Sequence, residues 1–221
     1  MLFSGGKDSV RTAEIVKKEG EVAVLLNLRS RNPDSYMFHT PASSLTAVQA
    51  EAMGMPYLWY ETEGVKEAEV EDLKKAVMHA AVLYRADTIA AGALRSTYQY
   101  TRLESIAHET GLNLFAPLWH IDSYEHLLSL ITSGYKVMFT AVASDGLEKG
   151  WLGKVLNHEA LRQLVSLKNL NIDGEGGEYE TCVLDAPHFT KEIEIMETEE
   201  IWRGLNGRLE VKRWRLKDKT Q

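Results

Sequence analysis

The residues best equipped for chemistry come first in the chain. Ser4-Gly5-Gly6-Lys7-Asp8-Ser9 follows three apolar residues and runs straight into a helical pattern. Two glycines allow a tight turn, Asp8 and Ser9 suit the start of a helix, and the N–H groups of such a turn converge on one point. The helix dipole adds partial positive charge there and Lys7 adds a full one, so the stretch reads as a cradle for phosphate. A second constellation, Arg95, Gln99 and Arg102, carries two guanidinium groups able to grip phosphate bidentately and an amide able to read a base or ammonia. A third, Asp173-Gly174-Glu175-Gly176-Gly177-Glu178-Tyr179-Glu180-Thr181, concentrates acid on a flexible backbone. It suits a magnesium ion or a cationic substrate, with Tyr179 offering a cation–π face.

Two familiar phosphate loops are excluded by residue type. A Walker loop needs glycine where Met1 stands and Ser or Thr where Asp8 stands. A dinucleotide fingerprint, Gly-x-Gly-x-x-Gly, is completed neither at Gly5-Gly6 nor at Gly174-Glu175-Gly176-Gly177. What remains resembles the pyrophosphate loop of the PP-loop ATP pyrophosphatases, which split ATP between its α and β phosphates and leave AMP on an acceptor oxygen.

The elements that must position these groups alternate. Val10–Glu19 reads as a helix and Val22–Leu28 as a strand buried on both faces. Arg29–Pro41 reads as a loop whose Tyr36, Met37 and His39 could form a lid or an adenine pocket. Ser43 or Ser44 opens a helix ended by Gly54, Tyr57–Tyr60 is a strand, and Val70–Tyr84 has helical spacing. Glu67, Glu69, Glu71 and Asp72 read as solvated helix-start acids. Thr88–Ala91 is a further strand, followed by a polar loop from Gly92 to Glu104. This order predicts an α/β fold with an open, mostly parallel sheet covered by helices on both faces. In such a sheet the loops after Phe3, Leu28 and Ala91 converge beyond the carboxyl ends of the strands.

After Pro117 the pattern changes to a helix near Tyr124–Ile131, a strand over Tyr135–Ala143, an apolar turn at Trp151-Leu152-Gly153, and a helix capped by Asn157. Ile193–Ile195 and Leu209–Leu216 alternate as antiparallel strands. The expected organisation is a phosphate-binding domain over 1–116 and a smaller α+β substrate domain over 117–221.

A chain of 221 residues, 44% hydrophobic, can bury one large core or two small ones. A formal net charge of −7 argues against general nucleic-acid binding, which needs clustered Lys and Arg. No apolar run reaches the ~20 residues that cross a bilayer, and no signal-peptide pattern precedes the motif. Cys182 is the single cysteine, so it builds neither an internal disulfide nor a zinc site. A cytoplasmic protein is expected. The first strand is short enough for the start to lie a few residues upstream.

With these segments in view, the chain resembles the diphthine–ammonia ligase family of PP-loop ATP pyrophosphatases over nearly its whole length. The matching stretches are Ser4 to Ser9, Ser35-Tyr36-Met37-Phe38-His39, Glu69 to Lys74, Ser96-Thr97-Tyr98-Gln99 with Arg102 and Glu104, Ala116-Pro117-Leu118-Trp119, Trp151-Leu152-Gly153, and Gly174 to Thr181. Cys182 departs from the pattern, standing where an apolar residue is common. The resemblance implies an adenine-nucleotide α-hydrolase-like (HUP) fold, ATP as co-substrate and the last step of diphthamide synthesis. In that step the carboxylate of diphthine, a modified histidine of elongation factor 2, becomes an amide with ammonium as nitrogen source.

On this reading Ser4, Gly5, Gly6, Lys7, Asp8, Ser9 and Gln99 bind ATP and its pyrophosphate. Lys7, Asp8, Arg95 and Arg102 act at the phosphorus, with Asp8 as ligand of Mg²⁺. Glu175, Glu178, Tyr179 and Glu180 form the substrate loop, in which Glu175, Glu178 and Tyr179 recognise the substrate's trimethylammonium group. A homodimer is left open. Rival readings are an ammonia-dependent amide ligase of the NAD synthetase type, and an adenine-nucleotide-binding module without turnover. A tRNA-thiolating enzyme is disfavoured because persulfide transfer commonly uses paired cysteines.

Overall fold

The computed structural model describes residues 1–31, 45–65 and 68–219. The described residues form two compact units. One is drawn from the described residues within Met1–Ser4, Asp8–Thr40 and Met55–His120, the other from those within Gly5–Lys7, Pro41–Gly54 and Ile121–Gln221.

The first unit is built on parallel strands. β1 (Leu25–Ser30) pairs in parallel with β2 (Tyr57–Thr62), and β3 (Thr88–Ala90) with β4 (Asn113–Phe115). The two pairs are joined by the first three residues. Leu2 bridges Leu26 in parallel, Phe3 N donates to Leu26 O, and Leu2 N donates to Ala90 O. Met1–Phe3 is thus a central rung of the sheet, though only Leu2 forms a ladder pair. Helix α1 (Lys7–Glu19) leaves from this rung.

Helices α3 (Ala68–Tyr84) and α4 (Thr97–Thr110) supply Leu73, Ala76, Val77, Ala80, Leu103, Ile106 and Ala107 to one core with Leu26, Leu28, Ile89 and Ala91. Burying such side chains stabilises the unit by about 1.5–3 kcal/mol for each of the larger ones. The α/β class expected from the alternation is the one observed.

Three local readings change. The polar stretch expected as loop through Glu104 becomes helix α4 at Thr97, because Ser96 accepts a hydrogen bond from Gln99 N and caps it. β4 is a short strand that the pattern did not announce. Glu69 is not solvated but fully buried, and Asp72 accepts from Thr62 Oγ1 at 2.8 Å.

The second unit carries a four-stranded antiparallel sheet in the order β6-β5-β8-β7. The strands are β5 (Lys136–Val142), β6 (Tyr179–Asp185), β7 (Lys191–Arg203) and β8 (Asn206–Asp218). β7 and β8 form a hairpin of thirteen residues each, longer than the sequence pattern suggested. Helix α2 (Thr46–Met53) lies with this unit, along with α5 (Ser123–Thr132) and α6 (His158–Ser166). The caps of the last two are local in origin: Asp122 accepts from Glu125 N and Asn157 from Ala160 N. Phe139 makes edge-on contacts with Trp151 at 5.1 Å and Tyr179 at 5.0 Å, so both rings are core. No described helix is long and apolar enough to cross a membrane.

Candidate functional site

The glycine turn has the backbone that a phosphate cradle requires. Gly5 lies at φ 78°, a left-handed conformation that side chains resist. Helix α1 begins two residues later, which places the Lys7 and Asp8 main chain at its N-terminus. Ser4 Oγ donates to Ser9 Oγ at 3.2 Å, tying the two ends of the motif across the turn. Gly92, in the loop after β3, packs against the same helix start. A Cβ there would stand 2.8 Å from Asp8 C and 2.9 Å from Asp8 O. Of the three loops expected to converge, the first and third therefore meet; much of the second, including Tyr36, Met37 and His39, lies outside the described residues.

The turn itself, Gly5–Lys7, goes with the second unit and lies along the free edge of β6. Val183 N donates to Gly5 O at 3.1 Å. Lys7 N donates to Thr181 Oγ1 at 3.2 Å. Lys7 is 4% exposed; its ammonium donates to Asp173 O and stands 5.4 Å from the centroid of the Tyr179 ring. Burial of a full charge is tolerable here because a carbonyl dipole and an aromatic face meet it.

The acidic glycine segment supplies those partners. Asp173 is buried, its carboxylate accepting from Ser123 Oγ and from Glu175 N at 3.1 Å. Glu178 is buried with one oxygen held by the Asn171 main chain and side-chain amide. Tyr179 donates its hydroxyl to Ile172 O. Tyr179, Glu180 and Thr181 are strand residues of β6 rather than loop, because Ala143 N donates to Glu178 O and the ladder with β5 starts at once. Glu175 is half-buried, and burial pushes the Glu180 carboxyl up to about 8.

The Arg95–Arg102 constellation is split by the cap at Ser96. Arg95 is exposed in the loop after β3. Gln99 sits in the first turn of α4, half-buried. The Arg102 guanidinium lies 3.3 Å from the centroid of the Tyr98 ring and donates to Tyr98 O. Nearby, Tyr100 stacks on Trp119 at 4.2 Å.

ATP fits this arrangement on three counts: the left-handed glycine, the helix start and the lysine that stands at it. Among the described residues no three His, Cys, Asp or Glu side chains cluster as a metal centre. Asp8, half-buried at the helix start, is the carboxylate within the phosphate motif that could hold one Mg²⁺ ligand position.

Sequence reasoning missed Gln49. This residue of α2 is fully buried, and its side-chain amide donates to Gly5 O at 2.7 Å and Val183 O at 2.8 Å. The available signal was a polar residue on the apolar face of Leu45, Val48 and Ala52.

Residues 1–114 match the diphthamide synthase N-terminal domain, and residues 123–216 the diphthamide synthase C-terminal domain. A diphthine–ammonia ligase of Danio rerio is 35% identical, covering 90% of this chain and 87% of its own. The human protein of that name is 32% identical over 90% of this chain and 83% of its own. The one from Schizosaccharomyces pombe is 32% identical over 90% of this chain but 36% of its own, being a longer protein. Among solved structures, a predicted subunit of tRNA methyltransferase from Methanocaldococcus jannaschii superposes over 84% of this chain and 95% of that one. Its TM-score of 0.45 and 18% identity are too loose to argue from. Both halves of the sequence and the phosphate motif at its head thus converge on one assignment: the chain belongs to the diphthine–ammonia ligase family of ATP-dependent ligases.

Proposed function

We propose that this protein amidates the carboxylate of diphthine on elongation factor 2, using ATP and ammonia and releasing AMP and pyrophosphate. The observation that carries the reading is the left-handed Gly5 turn delivering Lys7 to the start of α1, in a chain whose relatives bear the name diphthine–ammonia ligase.

A carboxylate is a poor acyl donor because its leaving group would be oxide. In the proposed sequence a carboxylate oxygen attacks the α phosphorus and the bond to the bridging oxygen breaks, so pyrophosphate departs and an acyl-adenylate forms. Ammonia then attacks the acyl carbon, AMP leaves with the former carboxylate oxygen, and the nitrogen loses a proton. Ser4, Gly5, Gly6, Lys7 and Ser9 hold the departing pyrophosphate through N–H, hydroxyl and ammonium donors. Lys7 reaches it by exchanging Asp173 O for a phosphate oxygen. Arg95 and Arg102 neutralise charge developing at phosphorus, and Gln99 contacts nucleotide or ammonia. Mg²⁺, held in part by Asp8, neutralises phosphate charge when bound.

Tyr36, Met37 and His39 form the adenine pocket in this reading. Glu175 faces the trimethylammonium group, while Glu178, Tyr179 and Glu180 shape the segment that carries it. The setting is the cytoplasm, where elongation factor 2 works.

The decisive experiment incubates diphthine-bearing elongation factor 2 with the protein, ATP and ammonium, and follows acid-to-amide conversion by mass spectrometry alongside AMP. Formation of ADP, or no amide, overturns the proposal.

A further inference from the structure

Gln49 is buried completely within α2 and uses one nitrogen on two main-chain carbonyls, Gly5 O at 2.7 Å and Val183 O at 2.8 Å, with Cys182 Sγ at 3.4 Å. Two carbonyl oxygens can be served only by the NH2 end of the amide, so the network fixes the orientation of the side chain. Its Oε1 is buried and has no hydrogen-bond partner among the described residues. A buried acceptor left unsatisfied is a cost that packing alone does not explain. The same oxygen lies 2.0 Å from where a Cβ on Gly5 would stand, so the glycine is demanded by this contact as well as by its φ.

The consequence runs through one peptide plane. Gly5 C=O and Gly6 N–H belong to the same planar trans peptide and point in opposite directions. Gly5 O is pinned from two sides, by the Gln49 amide and by Val183 N. With that oxygen fixed toward α2 and β6, the Gly6 N–H is fixed on the opposite side. A donor held before its ligand arrives needs no reorganisation when charge develops, which is where preset N–H groups contribute most to rate.

We propose that Gln49 is a positioning residue that presets the Gly6 N–H as a donor to the pyrophosphate of ATP, a role that rests on reading the turn as a pyrophosphate grip. Few side chains can substitute. Asn is too short, Met has no donor, and ionised Glu presents an acceptor to two carbonyls.

The test measures binding of inorganic pyrophosphate by calorimetry, and the kcat and KM of ATP-dependent AMP formation, for the wild type, Gln49→Met, Gln49→Glu and Met53→Ala. Met53 is buried on the same helix and controls for lost packing. Gln49→Met is expected to weaken pyrophosphate binding and lower kcat by roughly tenfold or more, while Met53→Ala loses stability but keeps pyrophosphate affinity. Measured against wild type at each pH, Gln49→Glu is expected to recover pyrophosphate affinity as pH falls from 8 to 6, because a protonated carboxyl regains one donor. Wild-type affinity and kcat in Gln49→Met overturn the clamp, as does a pH-independent defect in Gln49→Glu. Failure of the wild type to bind pyrophosphate overturns the grip itself, and the clamp with it.

Discussion

The Lys7 ammonium is held by the main-chain carbonyl of Asp173, a residue 166 positions further along the chain. Lys7 and the acidic glycine segment therefore form one assembly, where the sequence suggests a nucleotide motif and a separate substrate loop. Asp173 is itself fixed by Ser123 and by Glu175 N, so the partner of Lys7 is anchored on two sides.

Replacing Lys7 by Ala removes the one full positive charge inside the turn. AMP and pyrophosphate formation should fall by roughly 10²–10³-fold, the range found when a preset charge-stabilising donor is lost. Quantifying both products under single-turnover conditions checks this, and near-wild-type turnover removes the turn from catalysis.

Gly92→Ala tests the packing of the β3 loop on the helix start. The new Cβ would meet main-chain atoms of Asp8, which cannot rotate away. The KM for ATP should rise several-fold, with a loss of about 1–3 kcal/mol in chemical denaturation. Gly150→Ala, whose Cβ would meet nothing within 4 Å, should leave both unchanged.

Glu180 gives the protein a pH-dependent stability of definite sign. Burial raises its carboxyl from an ordinary 4.5 to about 8, so between these values the folded chain binds a proton that the unfolded chain releases. The contribution is fully present below about 4.5 and is lost as pH rises through about 8. Glu180→Gln should remove this slope, raising Tm relative to wild type by roughly 3–6 °C at pH 9 and by little at pH 5. Differential scanning calorimetry across pH reads it directly; parallel curves contradict it.

Cys182 should be inert while the chain is folded. It is buried, and burial pushes its thiol up to about 12, which leaves almost no thiolate at neutral pH. Iodoacetamide at pH 8 should label it at least about 100-fold more slowly in buffer than in denaturant, followed by intact mass.

Much of the fold was legible because its signals are local. The apolar run through Leu25–Leu28, the helix end at Gly54 and the Asn157 cap each state their structure within a few residues. The start of α4 was concealed because Tyr98, Gln99, Tyr100 and Arg102 resemble loop chemistry, and only the Ser96 cap betrays the helix. The β6 strand begins inside a segment dominated by glycine and acid, and its partner β5 lies some forty residues upstream. Burial of Glu69 was invisible for the same reason, and that of Gln49 showed only as a polar residue on an apolar face: tertiary context decides whether a polar side chain on a helix faces water or main chain.

The geometry at Gly5–Lys7 also bears on the order in which the protein can be made. Thr181 lies 174 residues beyond Lys7, so the opening turn leaves the ribosome long before strand β6 exists to receive it. A turn synthesised early is thus braced late. A nascent fragment that ends before β6 therefore lacks Thr181 and Val183, the two residues of that strand that hold the turn.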